Sequence, residues 1–196
     1  MEKIIPEKLK VGDEIRIIAP SRSLKVLKED IIEIATKKLE EKGFKVSFSK
    51  NAMKYQSENF KCASIEDRID DLHEAFLDKN VKAIITVIGG HNVNQLLDYI
   101  DYDLIKNNPK IICGFSDITA LVNSIYAKTG MITYLGIHFF SLGMKYGAEY
   151  SMEYFLKMCM NDEVNIEPSK EWSNDRWMKN QEERTFIKNE GMKVLN

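Results

Sequence analysis

Apolar residues recur along the first two thirds of the chain in two alternating rhythms. Glu14-Ile15-Arg16-Ile17-Ile18-Ala19-Pro20 and Phe44-Lys45-Val46-Ser47-Phe48 follow the period of a strand. Between them, Ile31, Ile34, Ala35 and Leu39 fall at helical spacing within residues 30–42, and Gly43 closes that helix. Residues 51–63 are polar and aromatic without a clear period, and read as a loop. Ser64-Ile65-Glu66-Asp67 has the form of a capping box. Behind it, Ile65, Ile69, Leu72 and Phe76 make one apolar stripe on a helix running to about Asp78. The β-branched run from Val81 to Ile88 predicts a third strand, stopped by Gly89-Gly90. Short helices are expected over residues 92–99 and 103–107, and a fourth strand over residues 110–113. A helix over residues 117–128 closes at Gly130, and Met131-Ile132-Thr133-Tyr134-Leu135 reads as a fifth strand.

Strands that alternate with helices imply βαβ units and a parallel sheet covered on both faces. Right-handed crossovers then give an α/β fold, a three-layer doubly wound and mainly parallel sheet of the flavodoxin-like kind. This domain is expected over residues 1–162. Residues 163–196 change character. They carry Trp172 and Trp177 and many charges, with a strand signal only around Met192-Lys193-Val194-Leu195. They read as a linker and the opening of a further, C-terminal domain.

Composition narrows the function. Lys plus Arg is 28 and Asp plus Glu is 30, so the formal charge of −2 offers no electrostatic case for a nucleic-acid or membrane partner. No apolar run approaches the ~20 residues of a membrane span. Cys62, Cys113 and Cys159 are scattered and odd in number, with neither a disulfide nor a zinc spacing. They read as reduced, which favours the cytoplasm. Cys113 reads as a small buried residue of a strand.

In open parallel sheets, ligands bind beyond the carboxyl ends of the strands. That edge gathers four loops, and with them Ser21, Ser23, Gly90, His91, Asn92, Ser116 and His138. The most informative stretch is Ile111-Ile112-Cys113-Gly114-Phe115-Ser116-Asp117-Ile118-Thr119-Ala120-Leu121, an apolar run, a Gly, a Ser and then a helix. Ser116 is either an N-cap, the commoner role, or the nucleophile of a strand-to-helix elbow. In the second case the Gly89-Gly90 turn and the N–H of Asp117 could receive an oxyanion. The place after the first strand holds Ala19-Pro20-Ser21-Arg22-Ser23 without a glycine, which excludes a dinucleotide fingerprint, and there is no P-loop. His73 is expected on the solvent side of its helix. Ile100-Asp101-Tyr102-Asp103 reads as capping between two short helices. No cofactor is called for, and no group of residues has metal-ligand spacing.

Several motifs in order resemble the LD-carboxypeptidase family of serine peptidases, in the branch of the microcin C self-immunity peptidases. They are Gly89-Gly90-His91-Asn92-Val93-Asn94-Gln95-Leu96-Leu97, Tyr99-Ile100-Asp101-Tyr102-Asp103, Asn108-Pro109-Lys110, Gly114-Phe115-Ser116-Asp117-Ile118-Thr119-Ala120-Leu121, Tyr126-Ala127-Lys128-Thr129-Gly130, Glu171-Trp172-Ser173-Asn174-Asp175-Arg176-Trp177 and Asn189-Glu190-Gly191. The resemblance implies a Ser-His-Glu triad with Ser116 as nucleophile, and an oxyanion hole from Gly89, Gly90 and Asp117. Ser21, Ser23, His91, Asn92 and His138 are then expected around the substrate. The implied substrate is a murein peptide or an aminoacyl-nucleotide. The implied His and Glu belong to a C-terminal domain that this chain does not contain, and His138 is not that histidine. The chain alone is therefore expected to be inactive or to bind without cleavage. The apolar surface left near residues 140–196 is expected to drive homodimer formation.

Overall fold

Five strands, β1 (Glu14–Ile18), β2 (Lys45–Phe48), β3 (Val81–Thr86), β4 (Ile111–Gly114) and β5 (Tyr134–Leu135), pair in parallel in the order β2-β1-β3-β4-β5. The structure is a computed structural model, and it describes residues 2–56, 59–176 and 181–191. The strand order is that of a doubly wound flavodoxin-like sheet. Its direction of winding reverses between β1 and β3, so the loops that leave these two strands diverge to opposite faces and leave a crevice between them.

The central strands are apolar on both sides because both faces are covered. Ile15, Ile17, Ala83, Ile85, Ile111 and Cys113 point to one face, against α1 (Glu29–Glu40), α5 (Phe139–Leu142) and α6 (Glu149–Met160). Val81, Ile84 and Ile112 belong to the other, against α2 (Ile65–Leu77), α3 (Tyr102–Asn107) and α4 (Ile118–Thr129). Local chemistry sets the helix starts. Ser64 Oγ accepts the N–H of Asp67 at 3.0 Å, and Asp101 Oδ1 accepts that of Leu104 at 2.8 Å. Gly130 ends α4 at φ 79°.

Several elements differ from their sequence-based expectation. The fifth strand keeps only two residues, because Met131 bridges to Ile4 instead, and Ile4 bonds to Gly130 and Ile132. The segment over residues 92–99 is a single 3-10 turn, Val93–Leu96. Helix α6 was not anticipated, although Met152, Phe155 and Cys159, its buried residues, lie at helical spacing. After it, β6 (Glu171–Trp172) and β7 (Ile187–Lys188) form a separate antiparallel ribbon. The strand expected around residues 192–195, and Trp177, lie outside the described residues. Among the described residues no helix is long and apolar enough to cross a membrane.

The sheet and the ribbon differ sharply in burial. Ile112 is fully buried, whereas Ile187 is 41% exposed. Ile112→Ala is expected to cost about 3 kcal/mol in urea unfolding, and Ile187→Ala less than about 0.5 kcal/mol.

Candidate active site

Strand β4 ends at Gly114, and the chain turns through Phe115 and Ser116 into α4. Ser116 has φ 61°, a left-handed conformation that costs a residue with a β-carbon about 1–2 kcal/mol. It is exposed, and its hydroxyl makes no hydrogen bond among the described residues. The N-cap position belongs to Asp117, whose side chain makes no capping bond. The structure thus removes the capping role and leaves a strained turn that displays a hydroxyl. Gly89 lies directly against it. A β-carbon on Gly89 would sit 2.9 Å from Ser116 Cβ and 3.1 Å from its Oγ.

The Asp117 carboxylate turns away from the helix to hold two loops. Its Oδ1 accepts the N–H of Gly90 at 2.6 Å, and its Oδ2 accepts those of Asn92 at 3.2 Å and Val93 at 3.4 Å. The Ser21 hydroxyl, from the loop after β1, lies 2.7 Å from Asp117 Oδ2 and 2.7 Å from Asn92 Oδ1. A charged acceptor with several donors is the strong form of such a contact. It also spends the Gly90 N–H, which corrects the expectation that this group receives an oxyanion. The N–H groups of Gly89 and Asp117 have no protein acceptor among the described residues.

Arg68 of α2 completes this support, and nothing in the sequence singled it out. It is 3% exposed. Its Nη1 donates to the carbonyls of Pro20 and Asn92, its Nη2 to Gln95 Oε1 and its Nε to the Ser64 carbonyl. Burial pulls its pKa down, while the nearby Cys62 and Asp117 side chains oppose that shift. Asp71, also on α2, accepts from Ser49 Oγ and from the Asn51 backbone and side chain, and burial raises its pKa. An arginine and an aspartate on a helix read as solvated charges unless the loops that they hold are known.

The residues expected around a substrate divide differently from the expectation. Ser21, Ser23, Asn92 and His138 are each 2% exposed or less and form the inside of the wall. Ser23 Oγ donates to the Ala52 carbonyl and accepts from Lys25 N–H. Asn92 Nδ2 donates to Cys62 Sγ. His91 alone of the five lies exposed, tilted against the Phe60 ring at 5.8 Å. His138 Nε2 accepts the N–H of Phe115 at 2.9 Å, and burial lowers its pKa from 6.5 to about 4. His73 is half-buried rather than on the solvent side, and its Nε2 accepts the N–H of Asp101. Two of the three histidines therefore use a ring nitrogen on backbone, and none bonds Ser116 among the described residues.

Beside the elbow runs a groove of about 1170 Å³, with Phe115, Tyr134, Gly136, Trp172, Arg184 and Phe186 in its walls. Cys113 borders it from within, and burial pushes its thiol up to about 12, as suits a structural cysteine. Among the described residues no three His, Cys, Asp or Glu side chains gather as a metal site requires.

Two outcomes follow from these bonds. Asp117→Ala leaves three buried N–H groups without an acceptor. It is expected to cost about 2–4 kcal/mol and to speed amide exchange at Gly90, Asn92 and Val93, whereas Asp117→Asn keeps acceptor Oδ1 and costs less. The low folded pKa of His138 means that the unfolded chain takes up its proton first as pH falls. Its contribution is intact above about pH 6.5 and is lost towards pH 4, on the order of 3 kcal/mol in denaturant titrations. His138→Gln is expected to remove that slope.

The fold has close counterparts. The model of the LD-carboxypeptidase N-terminal domain matches residues 15–136. Putative carboxypeptidase YocD of Bacillus subtilis is 50% identical over 189 residues, which are 96% of this chain and 58% of that protein. A crystal structure of an MccF-like protein from Bacillus anthracis superposes with a TM-score of 0.92 at 52% identity, covering 96% of this chain and 57% of the other. Microcin C7 self-immunity protein MccF, in complex with aspartyl sulfamoyl adenosine, gives 0.86 at 31% identity, over 95% and 58%. The chain thus spans under three fifths of the length of these relatives, with a strained serine at the end of a parallel strand, and it belongs to the LD-carboxypeptidase family.

Proposed function

We propose that Ser116 is the nucleophile of a serine carboxypeptidase. The observation that carries this reading is the exposed Ser116 hydroxyl on a left-handed turn, flanked by the unengaged N–H groups of Gly89 and Asp117. A hydroxyl in that position attacks an amide carbonyl. The two N–H groups receive the negative charge that develops on its oxygen. The substrate in this reading is an amide beside a carboxylate in a murein peptide, or the amide of an aminoacyl-nucleotide. The MccF complex with aspartyl sulfamoyl adenosine supports the second. Ser141 Oγ and Arg184 Nε and Nη2, buried without a partner among the described residues, belong to the walls of the groove. Such donors suit a ligand rich in acceptors.

The base is proposed to come from the part of the relatives that this chain does not match. His138 is occupied by Phe115, and His73 by Asp101. This favours, for the chain alone, binding without turnover. A serine without its base keeps only residual catalysis. Calorimetry and a cleavage assay with aspartyl sulfamoyl adenosine and a murein tetrapeptide test both parts. The expected result is measurable binding of one ligand, with turnover about 10⁴-fold or more below that of a complete serine peptidase. Brisk turnover lost in Ser116→Ala would refute the inactivity and reveal a local base. Turnover retained in Ser116→Ala would refute the nucleophile.

A further inference from the structure

The residue before the displayed serine is held in an unusual way. Phe115 N–H donates to a histidine ring nitrogen, not to a carbonyl, at 2.9 Å. The two rings also stack, with centroids 4.2 Å apart and planes at 23°. His138 stands at the start of α5, in the connection from β5, so this contact ties the turn after β5 to the turn after β4. An Nε2 that accepts an N–H has its lone pair committed, and its proton is on Nδ1. The imidazole can make this bond only when neutral.

Its surroundings keep it so. His138 is 2% exposed. The titratable groups near it are Asp117 at the start of α4 and the Cys113 thiol of β4, which donates to the adjoining Ile137 carbonyl. Tyr134 of β5 is half-buried, its own pKa raised by burial, and α5 itself carries no titratable side chain. Asp117 favours the charged ring, but burial outweighs it, and the ring protonates only near pH 4.

We infer that His138 is a positioning residue: by accepting the Phe115 N–H and stacking on its ring, neutral His138 holds Ser116 in the left-handed conformation that displays its hydroxyl. A side chain at position 89 would collide with Ser116, and the first turn of α4 takes up the Phe115 and Ser116 carbonyls through the N–H groups of Ile118 and Thr119. The Phe115 N–H is a further handle on the turn, and His138 grips it. The inference rests on the reading of Ser116 as nucleophile for its purpose, but not for its geometry.

The test is nuclear magnetic resonance on the full 196-residue chain. In the wild type, a coupling across the hydrogen bond is expected between the Phe115 amide nitrogen and His138 Nε2, and it should vanish as the ring protonates near pH 4. The three-bond coupling of Ser116 Hα to the preceding carbonyl carbon reports positive φ. His138→Phe keeps the ring and the stacking but removes the acceptor. It is expected to abolish that signature and to speed Phe115 amide exchange roughly five- to tenfold, the scale of one lost hydrogen bond. His138→Gln restores an acceptor at the Nε2 position and is expected to keep positive φ from pH 7 down to pH 4. A folded His138→Phe with unchanged Ser116 φ and Phe115 exchange would overturn the inference. So would a missing coupling in the wild type, which needs no variant to fold. The nucleophile reading is scored separately, by turnover in Ser116→Ala. If the couplings appear and turnover survives Ser116→Ala, the nucleophile reading fails while the bond stands.

Discussion

A single carboxylate organises the edge of the sheet where the chemistry is placed. Asp117 begins α4, yet it bonds to the loop after β3 through three N–H groups and to the loop after β1 through the Ser21 hydroxyl. These are the two loops that part company where the winding of the sheet reverses. Loops at such a crevice have few apolar contacts of their own, and their buried N–H groups need acceptors. One anion accepts three of them and the Ser21 hydroxyl, and Arg68 grips the same loops through the Pro20 and Asn92 carbonyls. The loops are therefore held by charge-assisted bonds in a partly dry setting, where such bonds are strongest.

That rigidity is what allows strain at Ser116. A left-handed serine is costly, and it persists only where its neighbours leave no alternative. Gly89 has no room for a side chain because Ser116 occupies it, and Gly90 is equally confined by the Ser21 hydroxyl, which a β-carbon there would strike. The glycine pair thus has a steric purpose as well as an electrostatic one. Gly89 keeps an unengaged N–H beside the serine, while that of Gly90 is spent on Asp117.

Much of this was legible from residue order. The Ser64 and Asp101 caps, the stripe on α2 and the β-branched run of β3 are local features whose signals lie within a few residues. The turn at Ser116 was legible as a place, because an apolar run, a glycine and a helix start are also local. The partners were not. The sequence places Ser21, Ser23, Asn92 and His138 around a substrate, and all four are buried. Arg68 and Asp71 looked like the polar face of a helix. Most of their side-chain bonds reach a residue 20 or more positions away, as those of Arg68 do to Pro20 and Gln95.

The sequence by itself determined the alternation of strands and helices, the parallel sheet, and the edge at which four loops meet. Periodicity and capping act over single turns and strands, so the order of residues suffices for them. Only the tertiary structure decided what each polar group at that edge does. A hydroxyl, a carboxylate or an imidazole has several partners within chemical reach, and the one it takes depends on which distant backbone groups burial has left without water. Hence Ser116 emerged as the displayed residue and His138 as the buried one, although both are polar residues in loops at the same edge.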